Sequence, residues 1–230
     1  MTTKALIIPA AGLGKRLKQQ IPKPFLKLSG RPILEYTLQR FLPLEGLVQI
    51  IVTTSEDFLD VARQILKNKV PESLKATAIA GGKERQHSIR HALNELSDVD
   101  LVIIHDAVRP FIKLSHIEAC CKTASEMGAA IVGVPAQNTI KEVDEDRFIR
   151  QTPNRKCLWQ AQTPQVFKKQ LIAEAYGKAV KENYVGTDDA SLVERLGRKV
   201  KVVEGSQFNF KITYPADLKL AQLLIEEEHE

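Results

Sequence analysis

Short apolar runs alternate along the chain with longer segments whose apolar residues recur at helical spacing, beginning with Ala5-Leu6-Ile7-Ile8. This is the βαβ rhythm of an α/β protein, a mostly parallel sheet with helices on both faces. The pattern predicts strands at 4–10, 48–54, 75–80, 100–105, 129–135 and 200–204. Helices are predicted at 32–42, 57–68, 84–96, 114–127, 168–183, 188–196 and 215–228. Within the first helix, Ile33, Leu34, Thr37, Leu38 and Phe41 share one face.

Residues 137–156 break the rhythm. Thr139-Ile140-Lys141-Glu142-Val143 and Arg147-Phe148-Ile149-Arg150 alternate around the acidic turn Asp144-Glu145-Asp146, as in a projecting β-hairpin. A two-stranded ribbon with so few apolar residues is not stable alone in water, so it must rest on its own domain or on another subunit. A homodimer through this arm is expected; a hairpin folded back on its own sheet is the alternative.

The chain has 230 residues, 43% of them hydrophobic, enough to bury one substantial core. A single domain over 1–230 is expected, with 137–156 as its arm. Lys and Arg exceed Asp and Glu by 33 to 28, which suits an anionic ligand. Nucleic acid is not expected as a partner, because aromatics are 6% and the cations are scattered among acidic neighbours. The three cysteines, with Cys120 beside Cys121 and Cys157 apart, form neither a zinc pattern nor a disulfide framework. Met1 runs straight into Ala5-Leu6-Ile7-Ile8, so no cleavable leader is expected, and no apolar run approaches the roughly 20 residues of a membrane span. A cytoplasmic protein without a membrane partner is expected.

The candidate chemistry lies in the loops after the predicted strands. The first strand runs into Pro9-Ala10-Ala11-Gly12-Leu13-Gly14-Lys15-Arg16, with Pro22-Lys23-Pro24 beyond it. Small residues there let backbone N–H groups approach phosphate oxygens, and Arg16 and Lys23 add two cations. Leu17 stands where a dinucleotide-binding loop would need its third glycine, and no G-K-[ST] follows as a P-loop requires. Gly81-Gly82 opens a second loop, with Arg85 and Ser88 beyond it; it reads either as an ordinary strand-to-helix turn or as a cradle for a flat base. The buried strand 101–104 ends in His105-Asp106-Ala107-Val108-Arg109-Pro110. Asp106 is placed to hold Mg²⁺ shared with substrate phosphates, or else to cap the turn and pair with Arg109. His105 reads as a packed strand-end residue. Thr187-Asp188-Asp189-Ala190-Ser191 reads first as a helix N-cap. Phe208–Thr213 reads as a short strand carrying Lys211, which alone would be surface charge.

Taken together and in order, these stretches resemble the 2-C-methyl-D-erythritol 4-phosphate cytidylyltransferases of the non-mevalonate isoprenoid pathway. The likeness spans essentially the whole chain: Pro9 to Arg16, Pro22-Lys23, Gly81 to Ser88, His105 to Pro110, Asn138-Thr139, Leu158 to Gln165, Gly186 to Glu194 and Asn209 to Lys211. It implies a Rossmann-like nucleotidyltransferase fold, a dimer exchanging its arms, Mg²⁺, and CTP and a polyol phosphate as partners. It implies catalytic roles for Arg16, Lys23, Arg155 and Lys211. It places Ala10, Ala11, Gly12, Leu13, Gly14, Lys15, Gly81, Gly82, Arg85, Ser88, Asp106 and Ala107 by the nucleotide, with Asp106 also by the metal. Arg109, Thr139 and Thr163 fall by the second substrate, with Thr139 and Arg155 supplied by the partner subunit. Asn138 stands where Asp is common, and Thr152-Pro153-Asn154 replaces the usual residues before Arg155, which bears on the arm's contacts and not on the reaction.

The implied nucleophile is a phosphate monoester, whose second pKa is about 6, so it is already anionic near neutrality and needs no general base. That accords with the lack of any Ser-His-Asp or Cys-His constellation in the sequence. A ribitol-5-phosphate cytidylyltransferase is the nearest rival, but it usually has Leu-Ala-Gly-Gly where this chain has Pro9-Ala10-Ala11-Gly12. A non-catalytic nucleotide-binding regulator need not keep four convergent cations and Asp106, and an NAD-dependent oxidoreductase is disfavoured by Leu17.

Overall fold

The computed structural model describes residues 1–12 and 21–227; Leu13, Gly14, Lys15 and Arg16 of the first loop lie outside them. In chain order the elements are β1 (Lys4–Pro9), β2 (Lys27–Leu28), β3 (Arg31–Pro32), α1 (Ile33–Gln39), β4 (Leu47–Thr54), α2 (Leu59–Lys69) and β5 (Lys75–Ala80). Next come α3 (Arg85–Asn94), β6 (Leu101–Ile104), α4 (Leu114–Met127), β7 (Ala129–Pro135), β8 (Glu142–Val143) and β9 (Ile149–Gln151). The remainder is β10 (Trp159–Lys168), α5 (Lys169–Lys181), α6 (Asp189–Glu194), β11 (Lys201–Glu204) and α7 (Pro215–Glu227).

Among the described residues, seven strands form one sheet in the order β11-β7-β10-β6-β1-β4-β5. All its ladders are parallel except those of β10, which runs antiparallel to both β6 and β7. β1 lies inside the sheet with helices on either face, so both sides of the strand must be apolar. Leu6 and Ile8 join one core cluster with α1, α2 and α4; Ala5 and Ile7 join the other with α3, α5 and α6. A third, smaller cluster brings Val108, Phe111 and Ile212 together with Ile33 and Tyr36 of α1 and Ala221 and Ile225 of α7.

The predicted periodicity matches these elements closely, with three differences. β10 escapes it because Gln160, Gln162 and Gln165 blur the alternation and Pro164 argues against a central strand. The sheet accommodates that proline by shifting register between Ala161 and Gln165. The two-residue pair of β2 and β3 is too short to leave a pattern. Phe208–Thr213 forms no strand: the Ile212 N–H donates to Val108 O (3.0 Å), the Asn209 carbonyl accepts from Arg109 (2.7 Å), and Phe210 stacks on Phe111. Its backbone thus serves neighbouring loops and not a ladder.

The arm is a hairpin, with β8 and β9 paired antiparallel. Ile140, Val143, Phe148 and Ile149 are exposed on it, Phe148 at 72%, so the arm is not folded back onto the sheet of its own chain.

After β5 the chain crosses back to place β6 on the opposite side of β1. The sheet therefore has a switch point beside β1, and the carboxyl ends of β1, β4, β5 and β6 open at one edge there, where open α/β sheets bind ligands. Phe41, fully buried, packs its ring 4.8 Å from that of His105 and so joins the core to this edge. Phe41→Ala is expected to lower unfolding stability by about 3–5 kcal/mol, measured by urea titration, because a cavity would open in the middle of a packed cluster.

Candidate active site

A cavity of about 820 Å³ occupies this edge. Each strand end contributes: Pro9 to Gly12 after β1, Ser55 after β4, Gly81 to Arg85 after β5, and Asp106 to Val108 after β6. Ser88 from α3, Lys23 and Pro24 from the turn before β2, and Lys211 and Thr213 from the loop before α7 complete the lining. The volume is in the range of small-molecule sites. Gly81 and Gly82 are required by crowding: a Cβ at Gly81 would lie 2.7 Å from the Ala11 methyl, and one at Gly82 would collide with His87. The Ser88 hydroxyl accepts from the Gly82 N–H (3.0 Å) and donates to Glu84 O (3.1 Å), so it closes the turn itself.

Four cationic side chains (Lys23, Lys83, Arg85, Lys211) and two carboxylates (Glu84, Asp106) line the cavity. Asp106 organises three cations. Its Oδ1 meets Arg85 Nε at 3.1 Å, while its Oδ2 meets Lys211 Nζ at 3.1 Å and Arg109 Nε at 3.4 Å. Burial alone would raise the carboxyl pKa, but Arg85, Lys211 and Arg109 hold it well below the usual carboxylate range. Asp106 is therefore an anion at every pH near neutrality. Lys23 reaches across the loops to donate to Thr213 O at 2.8 Å.

A second layer fixes these groups from behind. Thr163 Oγ1 accepts from the Asp106 N–H (3.0 Å) and lies 3.1 Å from His105 Nδ1. The other ring nitrogen of His105 contacts Arg109 O at 3.0 Å. Burial pushes the His105 imidazole down to about 4, so it is neutral near pH 7 and acts as a spacer between two loops. Asn209 donates to Gln162 Oε1 (3.0 Å) and Thr163 O (2.8 Å), which ties the Lys211 loop to β10.

The donor set decides what metal could sit here. Among the described residues no group of three His, Cys, Asp or Glu is placed to cage an ion. An ionised carboxylate offers roughly four acceptor positions, and three on Asp106 face cations, leaving about one. That fits Mg²⁺ held mainly by substrate phosphates with one protein carboxylate, its common mode, and does not fit an all-protein site.

The sequence profile of the family described as 2-C-methyl-D-erythritol 4-phosphate cytidylyltransferase matches residues 4–227. The chain belongs to this family. It is accordingly a nucleotidyltransferase. A 2-C-methyl-D-erythritol 4-phosphate cytidylyltransferase from Caldanaerobacter subterraneus subsp. tengcongensis is 41% identical over 226 residues, 98% of this chain and 99% of that one. A 4-diphosphocytidyl-2C-methyl-D-erythritol synthase from Anaerococcus prevotii superposes with a TM-score of 0.87 at 30% identity, covering 98% of this chain and 96% of that one. The cytidylyltransferase of the same description from Thermus thermophilus gives 0.78 at 32% identity, covering 97% and 98%.

Of the residues singled out in the sequence of this family member, Ala10, Ala11, Gly12, Lys23, Gly81, Gly82, Arg85, Ser88, Asp106, Ala107 and Lys211 line the one cavity. Arg109 and Thr163 sit behind its floor. Thr139 and Arg155 are exposed on the arm, where Arg155 donates to Gln137 O across the arm's base. Leu13, Gly14, Lys15 and Arg16 fall outside the described residues. Sequence reasoning assigns no site role to Ser55, Lys83, Glu84, Val108 or Thr213, and Asp189, which pairs with Arg85 at 2.8 Å, reads there only as part of a helix N-cap run. Position just after a β-strand would have found Ser55; nothing local separates Asp189 from the capping Asp188. Because the Thr163 hydroxyl bonds inside the protein, Thr163→Val should cost about 1–3 kcal/mol in thermal or urea unfolding, with Thr163→Ser close to wild type.

Proposed function

We propose that this cavity binds CTP and that the phosphate of 2-C-methyl-D-erythritol 4-phosphate attacks its α-phosphorus. A bond forms between a substrate phosphate oxygen and that phosphorus, the bond to the β-phosphate bridging oxygen breaks, and 4-diphosphocytidyl-2-C-methyl-D-erythritol and pyrophosphate leave. The observation that carries this reading is the meeting of Lys23, Asp106 and Lys211 in a single cavity at the sheet's carboxyl edge. Two polyanions must be brought together there, so positioning and charge neutralisation dominate catalysis.

In this reading residues 9–12 and 81–85 surround the nucleotide, with small residues admitting the base. Arg16 and Lys23 neutralise charge that builds on the α-phosphate oxygens and on departing pyrophosphate. Lys211 orients the attacking phosphate, and Arg109 holds Asp106 and the Lys211 loop in register. Asp106 would hold Mg²⁺ together with the triphosphate; the ion supplies further neutralisation of phosphate charge.

The protein acts as a homodimer in which each arm reaches the partner's cavity. Support comes from the exposed Ile140, Val143, Phe148 and Ile149, which need a surface to cover them, and from the position of Thr139 and Arg155 away from their own cavity. No helix of the described residues is long and apolar enough to cross a membrane.

Pyrophosphate release from CTP is expected with 2-C-methyl-D-erythritol 4-phosphate and not with ribitol 5-phosphate. Lys23→Ala and Lys211→Ala should each lower kcat/KM by about 10²-fold or more while the protein stays folded; unchanged turnover would remove that residue from the mechanism. If the arms are exchanged, an Arg155→Ala subunit mixed with an Arg16→Ala subunit should recover part of the activity that each lacks alone. Size-exclusion chromatography with light scattering checks that mixed dimers form, and absence of recovery in them would mean that the two residues serve separate sites.

A further inference from the structure

The run Gly186-Thr187-Asp188-Asp189-Ala190-Ser191 does more than start a helix. Asp188 is the N-cap of α6, accepting from the Ser191 N–H at 2.9 Å. Asp189 is different. Only 1% exposed, it accepts from the Tyr176 hydroxyl on Oδ1 at 2.5 Å and forms an ion pair with the Arg85 guanidinium, 2.8 Å from Oδ2. It does not line the cavity, yet it is one atom group removed from it, because the same guanidinium uses Nε to hold Asp106.

The placement of Asp189 is overdetermined. Gln165 of β10 donates to Asp188 and accepts from the Ala190 N–H, gripping both neighbours of Asp189. Gln86, next to Arg85, donates to Tyr184 O and accepts from the Gly186 N–H. The segment before α6 and the start of α3 are therefore wired to each other, and the wiring brings one buried carboxylate against one cavity arginine. A buried carboxylate without a compensating cation is strongly disfavoured, so Asp189 and Arg85 fix each other.

We propose that Asp189, backed by Tyr176, is a positioning residue for the active site: it shares Arg85 with Asp106 and thereby keeps one acceptor position of Asp106 open toward the ligand. This rests on the reading that Asp106 shares a divalent ion with the bound triphosphate. With Asp189 present, the guanidinium is drawn two ways and meets Asp106 through Nε alone. Without its charge, Arg85 has only Asp106 to balance it and turns a second N–H onto Oδ1, the oxygen that neither Lys211 nor Arg109 meets. The acceptor position that an ion needs is then taken by an arginine N–H.

The test uses the full-length protein with α,β-methylene CTP, which cannot release pyrophosphate, and Mn²⁺ as a spectroscopic probe of the divalent ion. Electron paramagnetic resonance gives the Mn²⁺ concentration for half-saturation, and circular dichroism with thermal melting reports folding. Asp189→Asn is expected to raise that concentration about tenfold, the scale seen when outer-shell partners of metal ligands are lost. In steady-state assays kcat should fall with it, while KM for the polyol phosphate stays within about twofold. Tyr176→Phe, which keeps the charge but frees the carboxylate, should shift Mn²⁺ binding the same way by a smaller factor, and it serves as the readout if Asp189→Asn does not fold. Wild-type Mn²⁺ half-saturation in the folded variants overturns the proposal, as does a change that follows the melting temperature alone. Asp106→Ala separates the two readings. If it loses nucleotide-dependent Mn²⁺ while Asp189→Asn keeps it, positioning by Asp189 fails; if Asp106→Ala binds Mn²⁺ normally, the placement of the ion at Asp106 fails, and the proposal with it.

Discussion

One buried anion governs the site. Asp106 sits where β6 ends, almost out of reach of water, and it stays ionised because Arg85, Arg109 and Lys211 surround it. These cations come from three separate parts of the chain: the start of α3, the loop after β6, and the loop before α7. Brought together without Asp106 they would repel one another in a poorly screened interior. The carboxylate lets them be held close before any ligand arrives. A polyanion entering the cavity then meets dipoles and charges already in place and need not gather them from solvent, which is the form of electrostatic assistance that proteins provide better than water does.

Much of this was legible in the sequence because the fold writes its ligand edge into the ends of strands. Apolar runs such as Leu101 to Ile104 admit one conformation in a sheet covered on both faces, and the polar residue that follows each run must then lie at the rim. Ala10 to Gly12, Gly81-Gly82 and Asp106 were found by that logic, and the cavity joins them. Lys23 reads as a cation added to the first loop, whereas Lys211 lies outside the strand-end pattern and is reached only through likeness to a known family, yet both face the same space.

What the sequence withheld are relations between distant residues with no local signature. Thr163 looks like one polar residue in a glutamine-rich stretch; its hydroxyl is instead spent on the Asp106 backbone and His105. Asp189 is indistinguishable in sequence from its neighbour Asp188, but one caps a helix at the surface of the core and the other is buried against Arg85. β10 was hidden for the same reason. Its identity as a strand depends on pairing with β6 and β7 on either side, and its own composition, interrupted by Pro164, argues the other way.

The position of β10 also shapes how this molecule comes apart and together. β7 and β11 are joined to β6, β1, β4 and β5 solely through it, although it is made after β6 and β7 in the chain. Ribosomal synthesis up to residue 135 therefore leaves a gap in the sheet that only a later segment can close, and closing it couples Val166 to Ile103 across a long loop. Conversely, unzipping that single strand would split the sheet into two fragments and release Thr163 from Asp106 in the same motion. Partial opening with an intact ligand pocket is thus not available by that route, and amide protons along β10 should rank with those whose exchange requires the whole fold to be lost.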